Sequence, residues 1–92
     1  MELADEDVKA KILLKLAWRC AWAHKHVDFA HLASGFPRHA RGRMLGIAKE
    51  LVRENLIILK PAHYGLQVSL NFKERERILA ILLEYSKKER PG

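Results

Sequence analysis

The sequence predicts a mainly α-helical domain that carries one two-stranded β-hairpin. Three observations predict it. Apolar residues recur at helical spacing over three long stretches, while a β-branched run and an alternating run flank a Pro- and Gly-containing loop near residue 62. The 92 residues suffice for one small core and leave no length for a second, so residues 1–92 read as a single domain.

Each element follows from local chemistry. Asp5, Glu6 and Asp7 give the acidic first turn that a helix dipole favours, and an apolar-periodic run over residues 8–23 predicts helix 1. Ile12, Leu13, Leu16, Cys20 and Ala23 line one side of it, Leu14, Trp18 and Trp22 a second, and Lys11, Lys15 and Arg19 the polar strip. Asp28 is placed to cap a short helix over residues 29–34, with Gly35 in the left-handed position after it. Pro37 suits the first turn of a third helix reaching about residue 54, whose inward side is Ala40, Met44, Ile47, Ala48 and Leu51. Asn55 then ends it, being second only to Gly in the left-handed conformation.

Leu56-Ile57-Ile58-Leu59 has strand length, and Leu66, Val68 and Leu70 alternate out of a second strand. Lys60-Pro61-Ala62-His63-Tyr64-Gly65 joins them as the hairpin loop. Asn71 with Glu74 forms a capping-box-like start to a C-terminal helix over residues 72–90, which Pro91 and Gly92 stop. Phe72, Leu79 and Leu83 make one apolar line on that helix, Ile78, Leu82 and Tyr85 another, and Ile81 widens the band.

Composition bounds the function. With 49% apolar and 30% charged residues the chain is expected to fold, and its apolar runs at 78–83 and 56–59 fall far short of the ~20 residues that span a bilayer. The acidic start is unlike a secretory signal, so a cytoplasmic protein is expected, with no membrane partner. The one cysteine, Cys20, closes no internal disulfide. Asn and Gln number only three, a balance often met in proteins from thermophiles.

Net charge is +6, and residues 8–49 carry nine basic side chains against the single acid Asp28. Such concentrated positive charge attracts polyanions through counterion release, which makes nucleic acid the leading partner.

The order helix, short helix, turn, longer helix, β-ribbon, helix resembles the winged helix-turn-helix superfamily. Leu32-Ala33 ahead of Gly35 and the run Leu51-Val52-Arg53-Glu54-Asn55-Leu56-Ile57 are similar to stretches common there, with Asn55 where Gly is usual. The resemblance implies a winged helix of order α-α-α-β-β-α, with the helix-turn-helix at 28–55 and the wing at 56–71. It also implies that the third helix enters a DNA major groove. One departure stands out. From Gly35 to Met44 is nine residues, longer than the compact motif, so either the turn or the start of the recognition helix is extended.

On a helical wheel Arg38, Gly42, Gly46, Lys49 and Arg53 oppose the buried side, with Arg43 and Glu50 flanking. Arg and Lys there would contact phosphate, while two helix-interior glycines, each costing ~1 kcal/mol against Ala, call for close backbone approach or for local packing. The expected nucleic-acid contacts are Arg38, His39, Arg41, Arg43, Lys49 and Arg53, with Lys60, His63 and Tyr64 from the wing. Helices 1 and 4 are apolar over more of their surface than one small core covers, which predicts a homodimer through Trp18, Trp22, Ile78, Leu82 and Tyr85.

Cys20, His24 and His26 have metal-like spacing but lack a fourth ligand, and no phosphate loop or nucleophile motif occurs. No catalytic residue, metal or cofactor is therefore expected. The reading is a dimeric DNA-binding regulator or chromatin-like factor, with a structured-RNA-binding module and a protein-protein adaptor as alternatives.

Overall fold

The computed structural model describes residues 4–63 and 65–89. The elements run α1 (Asp5–Trp18), β1 (Val27–Asp28), α2 (Phe29–Ser34), α3 (Arg38–Arg53), β2 (Ile57–Ala62), β3 (Gly65–Leu70) and α4 (Arg75–Glu89), with a single 3₁₀ turn at Phe72–Glu74 before α4. Tyr64 and the Pro91-Gly92 stop lie outside the described residues.

Helix α3 forms as its pattern predicts: Ala40, Met44, Ile47, Ala48 and Leu51 are all buried. Its end is closed by backbone chemistry. Asn55 takes φ +63°, its N–H donates to the Val52 carbonyl at 2.9 Å, and the Leu56 N–H reaches back to Leu51 O at 3.0 Å. This is the Schellman closure, sealed by burial of Leu51 and Leu56. Alanine lacks the side-chain chemistry that eases this conformation. Asn55→Ala therefore lowers stability by about 1 kcal/mol, roughly 4–8 °C in a thermal melt, whereas Asn55→Gly leaves the melting temperature unchanged or higher.

Helix α1 is shorter than its periodicity predicts. It stops at Trp18 with the same closure, because Cys20 turns left-handed at φ +54° and the Ala21 N–H bonds to Leu16 O at 2.9 Å. Cys20 and Ala23, expected on the core side, are exposed instead. The chain beyond is held by the sheet: Leu70 donates to Ala21 O at 2.7 Å and accepts from the Ala23 N–H at 3.2 Å. Two backbone hydrogen bonds to a buried strand outweigh the further turn of helix that the apolar pattern would allow.

The sheet has three antiparallel strands in the order β1-β3-β2, one more than the hairpin expected. Val27 pairs with Val68 and Asp28 with Gln67, so the residues just before α2 form an added edge strand. Asp28 occupies the cap position of α2, yet its side chain makes no capping bond. β2 pairs with β3 from Ile57↔Leu70 to Ala62↔Gly65, and Pro61 is accommodated on this edge strand.

The core joins Leu13 and Leu16 of α1, Met44 and Leu51 of α3, Ile57, Val68 and Leu70 of the sheet, and Ile78 of α4. Asn71 stitches the sheet to α4: its side chain accepts from the Lys73 N–H at 3.2 Å and donates to Asn55 O at 2.8 Å. Among the described residues, no helix is long and apolar enough to cross a membrane.

Candidate nucleic-acid interface

The long interval after Gly35 has a simple resolution. The turn is only Gly35-Phe36-Pro37, and α3 begins at Arg38 with Ala40 as its first buried residue. The helix, not the turn, is extended, so the basic stretch 38–43 is helical. Gly35 itself is right-handed at φ −83°, against the expected left-handed cap.

The predicted cations divide into two groups. Arg41 binds its own turn, with Nε donating to Phe36 O and Nη2 to Ser34 O, both at 3.0 Å. Arg43 is half-buried, and its Nη1 lies 2.8 Å from Asp5 Oδ1, tying α3 to the start of α1. These two guanidinium groups therefore serve the fold first, which revises their expected role as phosphate grips. Arg41→Ala strips two charge-assisted hydrogen bonds from the turn and lowers stability by about 1–2 kcal/mol, readable as a fall of roughly 4–16 °C in melting temperature.

Arg38, His39, Lys49 and Arg53 form the second group. All four are exposed on α3 and carry no ion pair among the described residues. Arg38, Gly42, Gly46, Lys49 and Arg53 face outward together. A side chain at Gly42 or Gly46 would meet nothing within 4 Å, so neither glycine is demanded by packing inside the chain. The middle of this face is bare backbone, with Leu45, 39% exposed, at its edge.

The adjoining flank of α3 carries two carboxylates that share one lysine. Lys9 Nζ lies 3.4 Å from Glu50 and 3.3 Å from Glu54, and Arg53 borders the same small cleft. Partial burial pulls the Lys9 pKa down, but hydrogen bonds and charge from Glu54 and Glu50 outweigh it and hold it above the ordinary 10.5. What the charge on Lys9 contributes is thus present at neutral pH and lost as pH rises through that raised value.

On the hairpin, Lys60 and His63 are exposed near the tip, and Tyr64 lies outside the described residues. The expected dimer residues do not share one surface. Ile78 is fully buried and Tyr85 nearly so within the chain's own core, while Trp22 and Leu82 are half-buried against it. Trp22 meets Phe72 edge to face at 6.1 Å. Of these five only Trp18 is open, at 77% exposure, and the other exposed large apolar residues toward the C-terminus are Phe72 in the 3₁₀ turn and Leu79 and Leu83 on α4. A wheel shows how wide an apolar band is, not which edge the core takes.

Because α1 ends at Trp18, Cys20 and His24 are not one helical turn apart, and among the described residues no three His, Cys, Asp or Glu side chains group as a metal site. Comparison with family models, curated proteins and solved structures found no match for the chain.

Proposed function

We propose that the chain is a winged-helix DNA-binding domain whose α3 lies in the major groove, with the β2-β3 hairpin as the wing. The observation that carries this reading is the outward face of α3: Arg38, Lys49 and Arg53 without an ion pair among the described residues, around a backbone bared at Gly42 and Gly46. Glycine lets a phosphate chain or groove wall approach the helix closely, while the flanking cations displace condensed counterions. The element order, with β1 between α1 and α2 and the sheet arranged β1-β3-β2, supports the winged-helix assignment. Duplex DNA is favoured over structured RNA because the basic stretch is a helix, which fits a B-form major groove but not the narrow one of A-form RNA. Few amides or hydroxyls lie on this face, so it suits a regulator or chromatin-like factor that grips phosphates with weak sequence preference.

Fluorescence anisotropy with duplex DNA at several salt concentrations tests it. The expected slope of log K against log salt is about −3 to −5, for three to five phosphate contacts at roughly −0.9 each. A slope near zero would exclude the mechanism.

The domain works as a homodimer in this proposal, through α4 rather than the residues first expected. Leu79 and Leu83 are each more than half exposed and lie one helical turn apart on α4. In an antiparallel two-fold pairing centred between Leu79 and Leu83, Leu79 of each copy falls opposite Leu83 of the other, so the pairing buries an apolar seam. Light scattering should show a dimer that Leu79→Glu splits into monomers; a monomer at micromolar concentration removes this part of the proposal.

A further inference from the structure

We propose that the cleft between the end of α1 and the α2-α3 turn is a stacking site for an unpaired nucleobase. The inference rests on the nucleic-acid reading above and extends it to a second surface. Trp18 is the last residue of α1 and, at 77%, the most exposed large apolar side chain described. Its neighbour in type, Trp22, spends its ring on Phe72 and the core, whereas Trp18 has no ring partner among the described residues. It forms one wall of an open cleft of about 180 Å³, with Lys15, Arg19, His31 and Ser34 around it and Leu32 among the lining residues. Among the described residues, no carboxylate lines that cleft.

Gly35 also borders it. Its backbone angles are available to any residue, so glycine is not there for conformation. A side chain at Gly35 would press on Lys15 Nζ, only 2.8 Å away, and Lys15 also sits over the Phe36 ring at 5.5 Å. The glycine thus leaves room for the ammonium group at the cleft.

An indole flanked by the cations Lys15 and Arg19 matches a ligand that has both a π-face and negative charge, which is a nucleic-acid strand. A second copy of this chain fits poorly. A two-fold contact centred on Trp18 would set Lys15, Arg19 and His31 against their own duplicates. The base must be unpaired, since within a duplex both its faces are covered by neighbours. Ser34 and Gly35 lead through Phe36 and Pro37 straight into Arg38, so the cleft adjoins the start of the proposed duplex-binding helix. A strand leaving a duplex held on α3 would meet Trp18, which makes a duplex carrying a single-stranded overhang the preferred ligand.

The test compares three labelled ligands on the full chain: a blunt duplex, the same duplex with a short thymidine overhang, and one whose overhang is abasic. The wild type is expected to bind the thymidine overhang about 5- to 100-fold tighter than the blunt duplex, from stacking of one base. The abasic overhang should lose most of that gain. Trp18→Ala should erase the preference and leave blunt-duplex affinity unchanged, while Trp18→Tyr retains part of it. Equal binding of blunt and overhanging duplexes by the wild type would overturn the stacking site and spare the role of α3. So would an equal loss on all three ligands in Trp18→Ala, or a change of oligomeric state in that variant with the overhang preference intact. Failure of the wild type to bind any of the three would overturn both readings.

Discussion

Replacing Gly42 and Gly46 together by alanine raises the melting temperature of the domain and weakens its hold on DNA. Each glycine costs a helix interior about 1 kcal/mol relative to alanine, and a methyl group at either position meets open space, so nothing offsets the gain. The expected rise is roughly 8–16 °C for a domain of this size. Duplex affinity should fall by about tenfold, because the added methyls hold the α3 backbone away from phosphate at a cost of order 1.4 kcal/mol. On the proposed reading, the two glycines give up helix stability for close contact with DNA. Unchanged DNA affinity in the stabilised variant would instead assign the bare strip to another protein helix, the adaptor alternative. A circular-dichroism melt and a binding titration on one preparation read both effects.

Arg38→Ala/Lys49→Ala/Arg53→Ala has the opposite signature. With three counterion-releasing contacts gone, the salt slope should drop by about 2.7 and duplex affinity near 0.1 M salt by several hundred-fold. Stability should barely move, because none of the three holds another part of the chain among the described residues. Arg41→Ala provides the contrast, losing stability through the Ser34 and Phe36 carbonyls it holds. Melting and binding measured on both variants separate the arginines that build the turn from those that face outward.

Much of the fold was legible because periodic burial leaves a direct trace. All five residues expected on the inner side of α3 are buried, and Asn55 closes the helix where its chemistry suggests. The end of α1 was not legible, since Cys20, Trp22 and Ala23 continue an apolar pattern and no glycine marks the left-handed turn at Cys20. β1 spans two residues, too few for an alternation to register, and exists because β3 offers a free edge.

On the surface, the same limit applied to direction. The apolar band of α4 is wide enough to face inward along Ile78 and Tyr85 or along Leu79 and Leu83, and only packing against α1 and the sheet decides. For the site, the sequence showed where positive charge gathers but not who holds it. Arg41 and Arg43 are occupied by a turn's carbonyls and by Asp5, partners brought close only by folding. The Trp18 cleft was hidden for the same reason, as its walls come from α1 and from residues 31–35.

The central claim is that the outward face of α3 is the surface that meets DNA. Amide chemical-shift mapping of the isotope-labelled protein during titration with a short duplex tests it most directly. The largest shifts should fall on Arg38, Gly42, Gly46, Lys49 and Arg53, with smaller ones at Lys60 and His63. Shifts concentrated on Leu79 and Leu83 of α4, or along Lys9, Glu50 and Glu54, with α3's glycines unmoved, would contradict it.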